Sequence, residues 1–239
     1  MKIFQYTITL IDPLFYSLEG LRGAVTPRYL HATAMNHAIA YALGKGENQP
    51  YLISEDNGGR NIPRYEDSLI TEDFYFTPAR LKGNPRYLSE VIKGELDGFI
   101  AKGYPGAEVL RASQVFSLSP ESKFIGYGIC KNEVIFPEII RLGSFRGKAK
   151  LKLTSARFIK QVSNWPVDHP VDPLVTGVSR GIMINIFPYP FIENAICRDC
   201  LEIRVKGERF TKVISLPDKI TNDLFRKEDI ILKGKSIIF

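Results

Sequence analysis

Residues 148–154 read Lys-Ala-Lys-Leu-Lys-Leu-Thr, a strict alternation of lysines with small or apolar side chains. Successive side chains of a β-strand point to opposite faces of its sheet, so this stretch predicts a strand with one wet face and one buried face. Lys148, Lys150 and Lys152 would follow one another at about 6.6 Å, because each residue advances a strand by about 3.3 Å. We therefore expect an antiparallel sheet that is covered on one face.

Further strands are expected on both sides of this stretch because β-branched and aromatic residues alternate there. The predicted segments are 3–10, 51–54, 74–77, 109–118, 123–130, 133–140, 182–187, 201–205 and 210–216. A tight turn at Lys206-Gly207-Glu208 joins the last two. From residue 109 onward the pattern is therefore mostly β.

One helix is clearly predicted, at residues 30–43. Apolar residues recur there at helical spacing, and Gly44 supplies a C-terminal stop. A second, shorter helix is predicted at Pro85–Lys93, with the proline as its first residue. Strands with so little helix favour an α+β fold.

The length of 239 residues favours a single domain with insertions. We expect two insertions, a loop-rich one at 44–72 and a β-hairpin region at 109–140. The N-terminus has no apolar signal segment and no apolar run reaches the ~20 residues of a membrane span, so we expect a soluble, cytoplasmic protein without a membrane partner.

The positive charge is concentrated in one window, residues 141–160. This window carries seven basic and no acidic side chains, which accounts for the whole net charge of +6. Such a local field favours polyanions. Glycines flank Ser144, Phe145 and Arg146, so backbone N–H groups and the serine could meet phosphates, and the phenylalanine could stack on a base or plug the core. The alternative is that the lysine face is only solvated or protects a sheet edge.

Candidate catalytic groups are sparse. RNA cleavage without metal needs a base, an acid and a cation, which His37, Tyr41 and a lysine could supply. His31 is expected at the helix start or an interface, and His169 in a rigid proline-flanked loop. We expect neither a catalytic residue nor a cofactor.

The cysteines are Cys130, Cys197 and Cys200. The last two have CxxC spacing, but a structural zinc normally needs four ligands and no second tight pair exists. We therefore expect ordinary, partly buried cysteines and no metal.

Several segments, in order, resemble the five-prime-handle subunit of type I-D CRISPR Cascade, a member of the RAMP superfamily. The segments are LIDPLFYSLEG (10–20), TPRYLHATAMNHAIAYALG (26–44), FYFTPAR (74–80), FPEIIRLGSFRGKAKLKL (136–153), DHPVDPLV (168–175) and INIFPYPFIENA (184–195). The usual glycine-rich loop of that superfamily is missing near the C-terminus, where GVSRG at 177–181 and Gly234 are incomplete versions.

The resemblance implies a ferredoxin-like core of the RRM type. It also implies a non-catalytic subunit that holds the 5′ handle of crRNA, caps the filament of Cascade backbone subunits and adjoins the large subunit. Target double-stranded DNA near the PAM would be a neighbour. The alternative is a metal-independent endoribonuclease that processes CRISPR repeat RNA.

The residues and the resemblance together give the predicted RNA-binding set. Its members are Arg22, Arg28, Arg80, Arg141, Ser144, Phe145, Arg146, Lys148, Lys150 and Lys152. Each of the first three is as consistent with a surface or ion-pair residue as with a phosphate contact.

Overall fold

The computed structural model describes residues 2–16, 24–44, 73–93, 112–131, 134–186 and 189–217. These ranges contain thirteen strands and one helix, α1 (Ala32–Ala42). The strands are β1 (Lys2–Leu10), β2 (Ala24–Val25), β3 (Tyr29–Leu30), β4 (Phe74–Phe76), β5 (Ala79–Leu81), β6 (Tyr87–Lys93), β7 (Ala112–Leu118), β8 (Lys123–Cys130), β9 (Ile139–Leu142), β10 (Gly147–Pro166), β11 (Val178–Ile184), β12 (Phe191–Val205) and β13 (Lys212–Ile214).

Ten strands form the main sheet, with β1 at its centre between β10 and β8. Beyond β10 the sheet continues through β12 to β11, and beyond β8 it continues through β5 to β3. β13, β4 and β9 pair with β12, β8 and β10, respectively. A small sheet holds β2, β7 and β6, and its β2–β7 contact is the one parallel pair within the described ranges. The architecture is therefore mainly antiparallel β.

Helix α1 covers one face of the main sheet. Met35 and Ile39 are fully buried against a core that includes Ile8, Phe124 and Leu151. β1 alternates between buried and half-buried residues along its length, as expected for a strand with one face in the core. We call this covered side of the sheet the helix face.

Asn36 fastens α1 to the sheet through hydrogen bonds. Its Nδ2 donates to the Phe76 carbonyl and its Oδ1 accepts from the Phe76 N–H, both at 2.9 Å. Nδ2 also donates to Ala32 O at 2.9 Å. The helix is thus held by polar contacts to β4 as well as by apolar packing.

Within the described ranges, the opposite face is covered at one end only. Strand β10 runs beyond β1 and pairs with β12, and its register shifts between Phe158 and Lys160. Such a bulge increases the twist of a strand. Leu201, Ile203 and Val205 of β12 are buried with Tyr127 and Ile129 of β8, although these two strands are not paired. The sheet therefore curls over this end, and none of the described elements covers the end near the β9–β10 turn.

The prediction of a second helix at 85–93 was wrong, because Tyr87–Lys93 is strand β6. Its residues pair with β7 from Tyr87↔Leu118 to Lys93↔Ala112. The segment contains Tyr87, Val91 and Ile92, which favour strands, and pairing with β7 decides between the two states.

Several other strands begin or end at residues that differ from the predicted ones. Residues 134–138 are not strand, and β9 begins after Pro137, which lacks the N–H that a ladder needs. β11 begins and ends upstream of the predicted 182–187, and the last predicted strand shrinks to β13. The predicted strand at 51–54 and almost all of the 44–72 insertion lie outside the described residues.

Most other elements are confirmed. β1, β4 and β8 match their predicted segments, α1 lies within 30–43, and the 201–205 prediction falls inside the longer β12. Gly44 follows the helix at φ 69°, and Gly207 occupies the predicted turn at φ 89°. The GVSRG segment is a strand rather than a loop, and a Cβ on Gly181 would clash with the Ile192 side chain. Gly234 lies outside the described residues.

The ferredoxin-like core is not confirmed. That motif needs a second helix between its third and fourth strands. The described residues 134–146, between β8 and β10, hold an irregular segment and β9 instead.

Candidate nucleic-acid interface

The β9–β10 hairpin brings the cations of the basic window onto one side of the sheet. Ala149 and Leu151 are buried in the core under α1, so the alternating Lys148, Lys150 and Lys152 point to the other side, where all three are exposed. Arg141 lies directly opposite Lys148 in the β9–β10 ladder. The predicted direction of the three lysines is thus confirmed.

The same side carries a cation that sequence reasoning missed. Residues paired across adjacent strands form a row on one side of the sheet. In one such row, Lys150 of β10 pairs with Thr9 of β1, and Thr9 pairs with Lys123 of β8. Lys123 is exposed and stands two strands from Lys150, or about 10 Å. Its place could not be read from sequence because it depends on the register of three strands. We call the surface formed by Arg141, Lys148, Lys150, Lys152 and Lys123 the basic face.

A second row continues the basic face to the far edge of the sheet. Lys152 lies opposite Thr7, Thr7 opposite Ile125, and Ile125 opposite Arg80. Arg80 in turn pairs with Tyr29 of β3. The predicted Arg80 therefore shares a face with the lysines although more than sixty positions separate it from them.

No ion pair among the described residues neutralises the five cations of the basic face. Asp12 lies close by, but its Oδ2 accepts the backbone N–H of Lys148 at 2.8 Å. Arg141 donates from Nη1 to the carbonyl of Arg146 at 3.1 Å, which leaves its charge uncompensated. This surface is therefore a source of positive potential.

The turn at 143–146 differs from its prediction. The backbone N–H of Ser144 donates to Phe15 O at 2.8 Å, and that of Arg146 donates to Gly143 O at 3.1 Å. A Cβ on Gly143 would lie 2.5 Å from Phe15 O, so this glycine, at φ 77°, serves the close approach of two chain segments. These two N–H groups are already bonded within the protein and are therefore not free to bind a phosphate.

Phe145 is stacked but still accessible. Its ring lies 5.3 Å from the ring of Phe15, at an interplanar angle of 23°, and 54% of the residue is exposed. Phe15 itself is buried. The phenylalanine is therefore neither a core plug nor an isolated platform, and Ser144 and Arg146 beside it are exposed.

The predicted arginines outside the window have different surroundings. Arg80 forms an ion pair with Glu193 of β12, at 2.5 Å. Burial raises the pKa of the Glu193 carboxyl, and Arg80 opposes that rise. Arg28 is exposed beside Tyr29, and Arg22 lies outside the described residues.

The three histidines are far from the basic face or buried. His37 and Tyr41 are on α1, which packs on the helix face, so the sheet separates them from the lysines of the predicted cleavage triad. His31 caps α1, accepting the Thr33 N–H on Nδ1 at 3.2 Å. His169 is buried in its loop and accepts the Ser215 N–H on Nε2 at 3.0 Å.

Cys197 and Cys200 are both buried in β12, in a cluster with Val167, Val171 and Ala195. The Cys200 thiol donates to the Cys197 carbonyl at 3.3 Å. Across the part of the chain that the structure describes, no group of three or more His, Cys, Asp or Glu side chains could hold a metal ion. Within the same ranges, no helix combines the length and hydropathy of a membrane span.

Two chains from solved structures align with this protein at low similarity. A chain of Type III-B Cmr-beta bound to cognate target RNA is 17% identical, with TM-score 0.30, over 55% of this chain and 48% of that chain, about half its length. A chain of Type III-B Cmr-beta bound to cognate target RNA and AMPPnP, state 1, is 10% identical, with TM-score 0.36. This alignment covers 96% of this chain and 91% of that chain. Neither superposition is close enough to carry an argument. No curated protein matches the chain.

The family model described as "Type I-D CRISPR-associated protein Cas5/Csc1" matches residues 1–221. This match covers β1 through β13 and therefore includes every element of the described fold and the whole basic face. The chain belongs to the type I-D CRISPR-associated Cas5/Csc1 family.

Proposed function

We propose that this chain is a non-catalytic subunit of a type I-D Cascade effector complex and that its basic face holds the 5′ handle of crRNA. The observation that carries the proposal is the set of five exposed cations on one side of the sheet, without an ion-pair partner among the described residues. Family membership supplies the complex in which such a surface would meet guide RNA.

The geometry suits an extended single strand better than a compact ligand. Lysines at two-residue spacing form a line along β10, and Lys123 adds one more charge about 10 Å to the side of this line. Single-stranded nucleic acid is commonly bound by a positive groove that follows the backbone, with aromatic rings for bases. Phe145, half exposed at the end of the lysine line, would offer its ring edge or outer face to a base. Ser144 and Arg146 beside it would contact phosphates.

The position of the chain in the complex is also part of the proposal. The subunit would cap the filament of backbone subunits, contact the large subunit and lie near the target DNA at the PAM, all in the cytoplasm. Arg22, Arg28 and Arg80 would extend the phosphate track beyond the basic face. We further propose a single domain, whose strands β10, β1, β8 and β5 with α1 are a ferredoxin-like core in which β9 replaces the second helix.

The salt dependence of RNA binding tests the proposal. For single strands, log affinity falls with log salt by about 0.7 for each neutralised phosphate. Replacing Lys148, Lys150 and Lys152 together with alanine should flatten that slope by up to about 2. The measurement is fluorescence anisotropy of a labelled repeat-derived RNA at a series of salt concentrations.

The control variant removes the same charge elsewhere. Arg157, Arg198 and Arg204 are exposed, and Arg157 and Arg204 point to the opposite side of the sheet from Lys152. Their joint replacement with alanine should leave the slope close to that of the wild-type protein. A lysine variant with an unchanged slope would contradict the proposed RNA track.

The alternative, a repeat-processing endoribonuclease, has its own test. Purified protein is incubated with repeat RNA in EDTA, and the products are resolved on a denaturing gel. We expect intact RNA, since the sheet separates His37 from the lysines. Site-specific cleavage that disappears in a His37→Ala variant would establish the alternative.

A further inference from the structure

On the edge of β10 that faces away from β1, a short stretch pairs with no other described strand. Its ladder with β9 ends at Lys150↔Ile139, and its ladder with β12 begins at Ala156↔Val205. Just inside this gap, the Leu151 N–H donates to Glu138 O at 2.8 Å, and the Ser155 carbonyl accepts the Lys206 N–H at 2.9 Å. Alternate residues of a strand direct their backbone groups to the same edge, so Leu153 presents both its N–H and its C=O to the gap, flanked by the Leu151 C=O and the Ser155 N–H.

A cavity of about 830 Å³ opens at this gap. Val134, Phe136, Phe158 and Leu201 provide apolar walls, and Lys150 and Lys152 of the basic face also line it. We call it the edge cavity. Its volume lies within the range of small-ligand sites, about 300–1,000 Å³. Apolar walls, the backbone donor–acceptor pair of Leu153 and two adjacent cations therefore meet in one place, with the exposed Glu138 also on the lining.

We propose that the edge cavity binds one nucleobase of the single-stranded RNA that lies on the basic face. The Leu153 N–H and C=O would pair with the edge of the base, the apolar walls would pack on its ring, and Lys150 and Lys152 would hold its flanking phosphates. Proteins that recognise RNA sequence commonly accept a splayed-out base in this manner. The inference rests on the proposed function and adds base selectivity to it.

A nucleobase fits the gap better than an added protein strand does. Strand addition relies on a row of backbone hydrogen bonds, whereas the gap offers four backbone groups in all, and only Leu153 contributes both a donor and an acceptor. A base needs only one such pair, because a donor and an acceptor lie side by side on its pairing edge. The lysines also match the charge of phosphates.

The test compares the affinities of three single-stranded octanucleotides, rA8, rC8 and rU8, by fluorescence anisotropy. A backbone donor–acceptor pair cannot suit all bases equally, so the wild-type chain should bind the best octanucleotide about tenfold more tightly than the worst. Ser155 is exposed and lines the edge cavity. Ser155→Trp should fill the cavity and reduce the discrimination to less than about twofold, while the salt slope set by the lysines stays unchanged.

The control is Ser163→Trp, an exposed serine on the same strand that does not line the cavity. It should keep the wild-type discrimination. Equal affinity of the wild-type chain for all three octanucleotides would contradict base binding in the edge cavity and leave the proposed function intact. This outcome can be measured on the wild-type chain alone. Ser155→Trp with undiminished discrimination would also overturn the pocket, whereas no binding even at low salt would overturn both proposals. Equal affinities combined with failure of Ser155→Trp to co-purify with the backbone subunits would mean that a protein strand occupies the cavity.

Discussion

Gly128 occupies one of the tightest places in the core. A Cβ at this position would lie 2.5 Å from the Phe4 ring and 2.7 Å from the Tyr75 carbonyl oxygen. The ring is buried and the carbonyl belongs to the backbone of the neighbouring strand β4, so neither can move away without cost. The residue is therefore glycine because two strands and a ring approach one another closely here.

We predict that Gly128→Ala lowers the free energy of unfolding by about 3 kcal/mol, the cost of overpacking a filled core. Urea denaturation measures the change. Gly207→Ala is the control, because a Cβ there meets nothing within 4 Å and the only penalty is the positive φ of 89°, about 1–2 kcal/mol. A Gly128 variant no less stable than the Gly207 variant would show that the core accommodates the methyl group.

The buried histidines make stability depend on pH. Burial lowers the pKa values of His31 and His169 from 6.5 to about 4. The unfolded chain therefore takes up protons below its histidine pKa of 6.5, while both folded rings stay neutral down to about 4. The two neutral rings therefore make their full contribution to the free energy of unfolding above pH 6.5. This contribution is lost as the pH falls toward 4, by up to about 3 kcal/mol for each ring.

We expect the urea midpoint of the wild-type protein to fall between pH 7 and pH 5 and that of a His31→Asn, His169→Gln variant to fall less. Asparagine keeps an acceptor for the helix cap, and glutamine keeps one for the Ser215 N–H. An equal fall in both proteins would assign the effect to carboxylates. Asp172 would act in the opposite direction, because burial raises its pKa and its protonation as the pH falls therefore favours the folded state.

At the scale of the element, α1 is attached through Asn36 rather than through apolar packing alone. Sequence periodicity assigns Met35 and Ile39 to the buried face, and the structure agrees. Asn36 is equally buried, yet a polar residue on a helix face gives no sign of its partner. Its partner, the backbone of Phe76, lies forty residues away.

Asn36→Ala should destabilise the protein by about 2–4 kcal/mol, because it leaves the buried N–H and C=O of Phe76 without their partners. Thermal and urea unfolding measure this loss. Tyr41→Ala on the same helix is the control, since Tyr41 is 71% exposed and its loss should cost less than about 0.5 kcal/mol. Similar stabilities for the two variants would mean that water replaces the missing amide.

At the scale of the whole molecule, Arg80 lies where the basic face meets the covered end of the sheet. It belongs to the row that begins at Lys152, and it is bound to Glu193 of β12. Glu193 is largely buried, and its Oε2 has no hydrogen-bond partner. A phosphate at Arg80 would therefore compete with a carboxylate of the protein itself.

We predict that Glu193→Gln strengthens RNA binding by about twofold to fivefold, because a neutral amide competes less with phosphate for the guanidinium. Anisotropy with the same RNA measures the change, and adding Arg80→Ala to the Glu193→Gln variant should abolish the gain. Glu202→Gln is the control, since Glu202 pairs with Lys160, away from the basic face. No gain in the Glu193 variant would place Arg80 outside the RNA track.

The sequence by itself determined the elements that depend on short-range patterns. Alternation at 148–154 predicted a strand and the side of its lysines, helical spacing predicted α1, and Gly207 marked its turn. These features are local, because the direction of a side chain in a strand and the cost of a positive φ depend on adjacent residues. The ordered motifs also predicted the family, which the match over residues 1–221 shows.

Tertiary structure decided everything that depends on strand register and on contacts between distant residues. It made residues 87–93 a strand, bonded the N–H groups of Ser144 and Arg146 within the protein and opened the edge cavity between β9 and β12. It also placed Lys123 and Arg80 beside the lysines of β10. Local sequence patterns do not predict these outcomes, because the pairing of a strand depends on burial across the whole sheet. Residues far apart in sequence come to share a face only through that pairing.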